Sequence, residues 1–242
     1  MNGYQRETYG AAWAGDYDQI YSSPPPEMID RLAEFAGGGK ALELAIGTGR
    51  VAVPLAERGV DLMGIDISPE MVAQLRGKPG GSVIPVHLGD FADLEVEGSF
   101  QLIYLVFNTL FALLEQEDQI RCFANVAAHL QRGGRFVTET FFPDVARFDR
   151  GQRVGVTTVG SEEVQIEASR HDPVTQRVDS QIIRYLPTGP TLLPVAVRYS
   201  WPAEMDLMAR LAGLELEARW GDWNRQPFTA GSTVHISVYR RP

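Results

Sequence analysis

The sequence predicts an α/β fold, a doubly wound sheet with an inserted antiparallel sheet. Three observations carry this reading. Five apolar, strand-like runs alternate with helical patterns over about 40–142. A Gly-x-Gly turn, Gly47-Thr48-Gly49, joins the first run to the helical pattern after it. Over about 154–201 the periodicity becomes two, and no helical pattern separates the runs. Strands that alternate with helices imply parallel β-α-β crossovers; successive strands of period two imply hairpins.

Each element has its own signal. ALELA (41–45) is the first strand, and a helix over 50–58 follows the glycine turn. VDLMGID (60–66) is the second strand and ends on Asp66. Ser68 before Pro69 pairs an N-cap with a proline at the first helical position, so a helix is expected over 69–76. VIPVH (83–87) and FQLIYLV (100–106) are the third and fourth strands. A helix over 116–131, with Ile120, Phe123, Val126, Ala127 and Leu130 as its apolar positions, is expected to stop at Gly133–Gly134. RFVTETF (135–141) is the fifth strand.

The inserted sheet comprises VGVTTV, VQIEAS, RVDSQIIRYL and PVAVRYSW, with a hairpin turn through Asp172–Pro173. In its last run Val195, Val197, Tyr199 and Trp201 are expected on one face. A short helix over 203–212 and two strands, LELEARW and STVHISVYR, close the chain, the strands linked by GDWNRQPFTAG. Pro24-Pro25-Pro26 separates an N-terminal arm from the first helix.

Three segments are therefore expected: 1–36, an arm and first helix belonging to the core; 37–150 with 202–242, the ligand-binding α/β core; and 151–201, the β insertion. With 242 residues, 44% of them hydrophobic, the chain can bury such a core. The formal net charge of −9 argues against nucleic-acid or anionic-membrane partners, which call for a basic face. No run approaches a membrane span, and the first residues lack a basic segment followed by an apolar one. The one cysteine, Cys122, cannot form a disulfide within the chain, so the cytoplasm is the expected compartment.

The residues at the strand ends describe a ligand. Gly47 and Gly49 let the backbone approach it, and Asp66, beside Ile67, can receive ribose hydroxyls. GTGRVA also satisfies a loose dinucleotide pattern, but Glu43 in the preceding strand would repel a pyrophosphate while accepting bonds from an amino group. No Lys-Ser/Thr follows the glycines, which excludes a P-loop. Gly89-Asp90-Phe91 offers an acid for an exocyclic amine and an aromatic ring for a base. A cationic nucleoside without phosphates fits this set, and S-adenosylmethionine is such a molecule.

With these motifs the chain resembles the class I S-adenosylmethionine-dependent methyltransferases, best over 40–142. ELAIGTGR is similar to the family's glycine-rich first motif, GIDIS to its acidic second-strand end, and GDF to its adenine-contacting motif. FQLIYLVFNTL is similar to the fourth strand and its loop, and LQRGGRFVTE to the helix and strand that close the sheet. The last two strands are similar to the family's antiparallel hairpin, which implies a seven-stranded, mostly parallel, Rossmann-like sheet with one reversed strand. Ala45 stands where the family often has glycine, and alanine fits there if its φ is negative.

The resemblance implies cofactor contacts at Tyr9, Tyr21, Glu43, Ala45, Gly47, Gly49, Arg50, Asp66, Ile67, Asp90, Phe91, Phe107 and Asn108. The tyrosines belong to an arm whose Tyr17-Asp18-Gln19-Ile20-Tyr21 resembles the Y-D-x-x-Y of small-molecule methyltransferases. Arg50 is expected to contact Glu43 or a loop rather than clamp a phosphate. Phe107 and Asn108 follow the fourth strand, at the carboxyl edge where open α/β sheets bind ligands. Trp13, Tyr17, Phe141, Arg198, Tyr199 and Trp201 are candidates for the acceptor, with Trp220 and Trp223 as further aromatic walls or a dimer contact. Glu139 and His235 are candidates for acceptor contact or proton removal, Glu139 sharing a face with Phe141. The four histidines are isolated and no metal spacing exists, so no metal is expected.

The expected function is methyl transfer to a small-molecule acceptor, at N or O. The layout is similar to that of natural-product sugar N-methyltransferases, and a homodimer through the insertion is one expectation. The same site also serves a cyclising enzyme or a binding module without transfer, and a dehydrogenase is the outside alternative.

Overall fold

The structure is a computed structural model that describes residues 1–21 and 23–242. Its helices are α1 (Thr8–Trp13), α2 (Tyr17–Ile20), α3 (Pro26–Ala36), α4 (Ala52–Glu57), α5 (Pro69–Gly77), α6 (Gln116–His129) and α7 (Pro202–Leu211). The core strands are β1 (Ala41–Leu44), β2 (Leu62–Asp66), β3 (Val86–Leu88), β4 (Phe100–Leu105), β5 (Leu130–Phe141), β10 (Glu215–Trp220) and β11 (Val234–Arg240). They form one seven-stranded sheet in the order β10-β11-β5-β4-β1-β2-β3. β11 runs antiparallel to both neighbours and every other pair is parallel. The strand order reverses between β1 and β4, which opens the crevice at their carboxyl ends.

Two layers bury the sheet. Leu42, Leu44, Ile65, Ile103, Leu105 and Phe136 pack under α6 and α7 against Phe123, Val126, Met205 and Met208. Leu102, Tyr104, Val137, Ile236 and Val238 pack on the other side against Leu32 and Phe35 of α3 and Leu55 of α4. α3 starts with proline in its first turn and ends at Gly37, whose φ of 54° is left-handed. Ser68 caps α5, its hydroxyl accepting from the Met71 amide at 3.2 Å.

One boundary differs from expectation. α6 ends at His129 and β5 begins at Leu130, so Gly133 and Gly134 lie inside the strand. A Cβ at Gly134 would stand 2.9–3.1 Å from the carbonyl oxygens of Gln131, Gln101 and Phe100. Gly134 thus serves a crowded strand crossing, where β4–β5 pairing also shifts register, while Gly133 takes a left-handed φ of 77°.

The insertion is a separate four-stranded antiparallel sheet, β6 (Gln152–Val159), β7 (Val164–Asp172), β8 (Arg177–Leu186) and β9 (Gly189–Arg198). β9 stops at Arg198, yet Tyr199 stays in the cluster that holds Val197. Tyr199 donates its amide to the Gln176 carbonyl at 3.0 Å, and Trp201 directly precedes α7. The arm docks on both sheets: Trp13 is buried with Met71 of α5 and Leu193 of β9, and its Nε1 donates to the Pro194 carbonyl at 3.1 Å. No helix among the described residues is long and apolar enough to cross a membrane.

Candidate active site

The site is built at the carboxyl ends of β1, β2 and β4. β1 carries Glu43 into the sheet interior, directly opposite Tyr104 of β4. Glu43 is 4% exposed, and its Oε2 accepts from the Tyr104 hydroxyl at 2.9 Å. Burial pushes its carboxyl up to about 8; Tyr104 and the Arg50 charge pull the other way. The Tyr104 partnership was legible only as two polar tips inside neighbouring apolar strands.

The chain turns sharply after β1. Ala45 has φ 54°, Gly47 56° and Gly49 74°, so the negative φ expected for Ala45 is overturned. A left-handed alanine costs about 1–2 kcal/mol, which the surrounding turn must hold in place. The Gly47 amide donates to Asp66 Oδ2 at 2.7 Å and the Ser68 amide to Oδ1 at 2.8 Å. The Ile67 amide is also directed at this carboxylate, whose pKa burial nonetheless raises. Asp66 therefore knots the end of β2 to the glycine turn.

A second strained turn follows β4. Phe107 (φ 59°) and Asn108 (φ 66°) are both left-handed. Glu139 holds them from β5: its Oε2 accepts from the Phe107 amide at 3.0 Å and its backbone oxygen from the Asn108 amide at 3.0 Å. Its Oε1 accepts from Trp223 Nε1 at 2.7 Å, while Asn108 Oδ1 accepts from the Phe141 amide at 2.6 Å. Both Glu139 oxygens accept from the protein, so Glu139 braces this turn. Phe141 packs on Phe111, in the layer opposite Trp223, so the face it was to share with Glu139 is not kept at the strand end.

The arm roofs this crevice. Tyr21 meets the Phe107 ring edge-on at 4.8 Å, and Arg50 lies 4.5 Å above the other ring face. Arg50 also bonds the Tyr17 hydroxyl, as its expected contact to a loop or Glu43 foresaw only in part. Tyr9 stacks on Trp13 at 5.2 Å, and Trp13 on Tyr21 at 5.7 Å. Three partners escaped the sequence reading: the Thr48 hydroxyl donates to Asp18 at 2.7 Å, and Lys78 bonds both, at 3.1 and 2.7 Å. Asp18 lies inside the Y-D-x-x-Y run and was its available signal. Beneath this roof remains a cavity of about 40 Å³ lined by Tyr17, Glu43, Gly47, Arg50 and Phe107 among others.

Other expected residues are committed elsewhere. Asp90 is ion-paired with Arg6 of the arm, which also reaches Asp118, and Phe91 is buried in the core. His235 is fully buried; Nε2 faces Thr140 Oγ1 and Nδ1 faces Ser237 Oγ, both at 2.9 Å, and burial brings its pKa down to about 4. No acceptor reaches it in this arrangement. Arg198 is buried against Glu204 at 2.7 Å and Gln119 at 2.8 Å, a brace between β9, α6 and α7. Tyr199 bonds His171 Nε2 at 2.9 Å, and Trp201 meets Phe142 at 5.5 Å. Trp220 stacks on Phe35 at 6.1 Å, so it and Trp223 belong to the α3 layer, not to an aromatic wall with Trp201. Among the described residues no cluster of His, Cys, Asp or Glu could hold a metal.

The chemistry fits the expected cofactor. A buried carboxylate, a second one at the β2 end, strained turns and no phosphate cradle suit a cationic, phosphate-free nucleoside. Residues 41–134 match the methyltransferase-domain family. The chain is 30% identical over 207 residues to the cypemycin N-terminal methyltransferase of Streptomyces sp, covering 84% of both chains. It is 28% identical over 183 residues to a dTDP-4-amino-2,3,4,6-tetradeoxy-D-glucose N,N-dimethyltransferase of Saccharopolyspora spinosa, covering 75% of this chain and 67% of that one. The CcbJ methyltransferase of Streptomyces caelestis superposes with a TM-score of 0.92 at 38% identity, covering 98% of this chain and 99% of that one. In sequence, sheet order and site alike, the chain belongs to the S-adenosylmethionine-dependent methyltransferases.

Proposed function

We propose that the protein methylates the nitrogen of a small, polar acceptor held between the arm, the β4 and β5 ends and the insertion. The carrying observation is that Glu139 and His235, the two candidate bases, are already engaged by the protein, while Glu43, the carboxyl that lines the cavity, is assigned to the cofactor's amino group. Both Glu139 oxygens and both His235 nitrogens are occupied, and no histidine is among the described residues that line the cavity. An alcohol would need its proton removed as it attacks, whereas an unprotonated amine attacks directly. One relative named above, the N,N-dimethyltransferase, acts on nitrogen by its name, which favours the same choice.

The cofactor supplies the methyl group as a sulfonium electrophile. The chain's own residues orient and exclude water. In this reading Glu43 and Arg50, with Tyr9, Tyr17 and Tyr21, hold the amino-acid end. Asp66, Ile67, Gly47 and Gly49 hold the ribose, Asp90, released from Arg6 of the arm, and Phe91 the base, and Ala45, Phe107 and Asn108 present backbone at the turns. Trp13 and Phe141 bound the acceptor side. Residues 151–201 act as the acceptor's cover.

The outer face of the insertion carries Val154 (76% exposed), Val156, Val159, Tyr185 and Leu192 (62% exposed). A second copy seated there would form the homodimer; Val154→Asp should then halve the mass found by sedimentation.

Matched pairs of small amines and alcohols, incubated with S-adenosylmethionine, test the acceptor. Amines should gain one CH2 with stoichiometric S-adenosylhomocysteine; methylation of alcohols alone would refute nitrogen as the target. Asp66→Ala should weaken cofactor binding severely, and unchanged affinity would remove its role.

A further inference from the structure

Between the two glycines of the β1 turn stands a side chain that has no part in holding the cofactor. Thr48 is flanked by left-handed Gly47 and Gly49, and it is only 1% exposed. Turns run over the surface, and a hydroxyl shut away from water needs partners within the protein. Both of its partners come from outside the turn. The Thr48 hydroxyl donates to Asp18 Oδ1 at 2.7 Å and accepts from Lys78 Nζ at 3.1 Å. Lys78 Nζ also reaches Asp18 Oδ2 at 2.7 Å. The protons balance: the hydroxyl gives one, the ammonium gives two, and each carboxylate oxygen takes one.

The three residues belong to three elements around the cavity. Asp18 lies in α2 of the arm, and Lys78 follows directly on α5. The other end of α5 is tied to the same turn, because Asp66 accepts from both the Ser68 and Gly47 amides. The arm comes as close to that end as glycine allows: a Cβ at Gly10 of α1 would collide with the Ser68 side chain. Tyr17, beside Asp18 in sequence, bonds Arg50 on the far flank of the turn. Asp18 thus spends both carboxylate oxygens across the gap between arm and core. Its ion pair with Lys78 is 39% and 28% exposed and contributes little by itself. The hydrogen bond from the enclosed Thr48 hydroxyl to a charged carboxylate carries more.

We infer that Asp18 is a positioning residue that, through Thr48 and Lys78, clamps the arm to the cofactor turn and sets how long the cofactor stays bound. The arm cannot lift from the turn without breaking this three-way contact. The inference rests on the cofactor reading and adds to it the contact that governs release.

The test uses the full-length protein. Radiolabelled S-adenosylhomocysteine is chased with excess unlabelled compound to time its release, and hydrogen exchange of α1 and α2 in the free protein reports arm docking. Asp18→Ala and Thr48→Val should each speed release about tenfold, the worth of one hydrogen bond to a charged group. Both should quicken exchange in the arm and leave β1 and β4 as in the wild type. Thr48→Ser keeps the hydroxyl and should restore both measurements. The double variant Asp18→Ala/Thr48→Val should release little faster than either single one, because each removes the same bond. Wild-type release in Asp18→Ala and Thr48→Val overturns the inference. So does a Thr48→Ser protein no slower than Thr48→Val, or faster release with unchanged exchange in the arm. A wild-type protein that does not bind S-adenosylhomocysteine would instead sink the cofactor reading, and exchange in the free variants would then decide the clamp alone.

Discussion

Replacing Glu43 by glutamine separates what this carboxyl does for folding from what it does for the ligand. In the folded chain it titrates at about 8, and in an unfolded chain near 4.5. A raised carboxyl pKa means that the folded state keeps a proton which the unfolded state loses. Its contribution is therefore fully present below pH 4.5 and is lost as pH rises toward 8. At 1.36 kcal/mol per pK unit, the loss between pH 5 and 8 is about 3–4 kcal/mol. For a chain of this size that corresponds to roughly 7–15 °C in Tm. Glutamine does not titrate, and its carbonyl still accepts from Tyr104. The assay is urea unfolding of wild type and Glu43→Gln at pH 5 and pH 8. Comparing the two proteins cancels groups that titrate in both, His235 included. The wild type should lose about 3–4 kcal/mol more than the variant across that window. The variant should also bind S-adenosylmethionine about 10–100-fold more weakly, the worth of one charge-assisted hydrogen bond. Equal pH slopes in the two proteins would refute a buried, proton-holding Glu43.

Three further outcomes follow from the same structure. Ala45→Gly releases a left-handed alanine worth about 1–2 kcal/mol and loses about 0.4–1 kcal/mol to unfolded-state freedom. It should stabilise the protein by up to about 1.6 kcal/mol in denaturant titration, and any loss of stability would contradict the strain. His235, with its pKa held down near 4, contributes stability that is present above about pH 6.5 and is lost as pH falls toward 4. His235→Asn should flatten that acid-side decline, about 3 kcal/mol in all, while the pH–rate profile between pH 6.5 and 8 keeps its shape. Glu139→Gln sets an amide NH2 against one of two N–H donors, Phe107 or Trp223 Nε1. Stability should fall by about 1–3 kcal/mol, and hydrogen exchange at Phe107 should quicken.

The fold was legible because its signals are local. Ser68-Pro69 before α5, the glycine turn after β1 and the helical periodicity of α6 each act within a few residues. The end of α6 was misread for the opposite reason: Gly134 answers to carbonyls of β4, some thirty residues away in sequence. The site divides in the same way. Glu43, Asp66 and the two glycines could be found from their place at strand ends. What occupies Glu139, His235 and Arg198 could not, because Trp223, Thr140 and Glu204 approach them only through sheet pairing and helix packing. Ala45 was read as a compromise on φ, yet the turn enforces the left-handed value and alanine bears it.

The arm touches everything that must leave after a turnover. Its aromatic residues lie over Phe107 on one side and against Leu193 of the insertion on the other. With cofactor and acceptor both bound beneath the arm, as proposed, product and spent cofactor would leave by one route, and arm undocking would set the ceiling on turnover. Helices of six and four residues do not persist alone, so this undocking is a local unfolding step, and such gating motions run on microsecond to millisecond timescales. Viscosity and temperature should then alter kcat through the arm, while the methyl-transfer step itself stays hidden behind it.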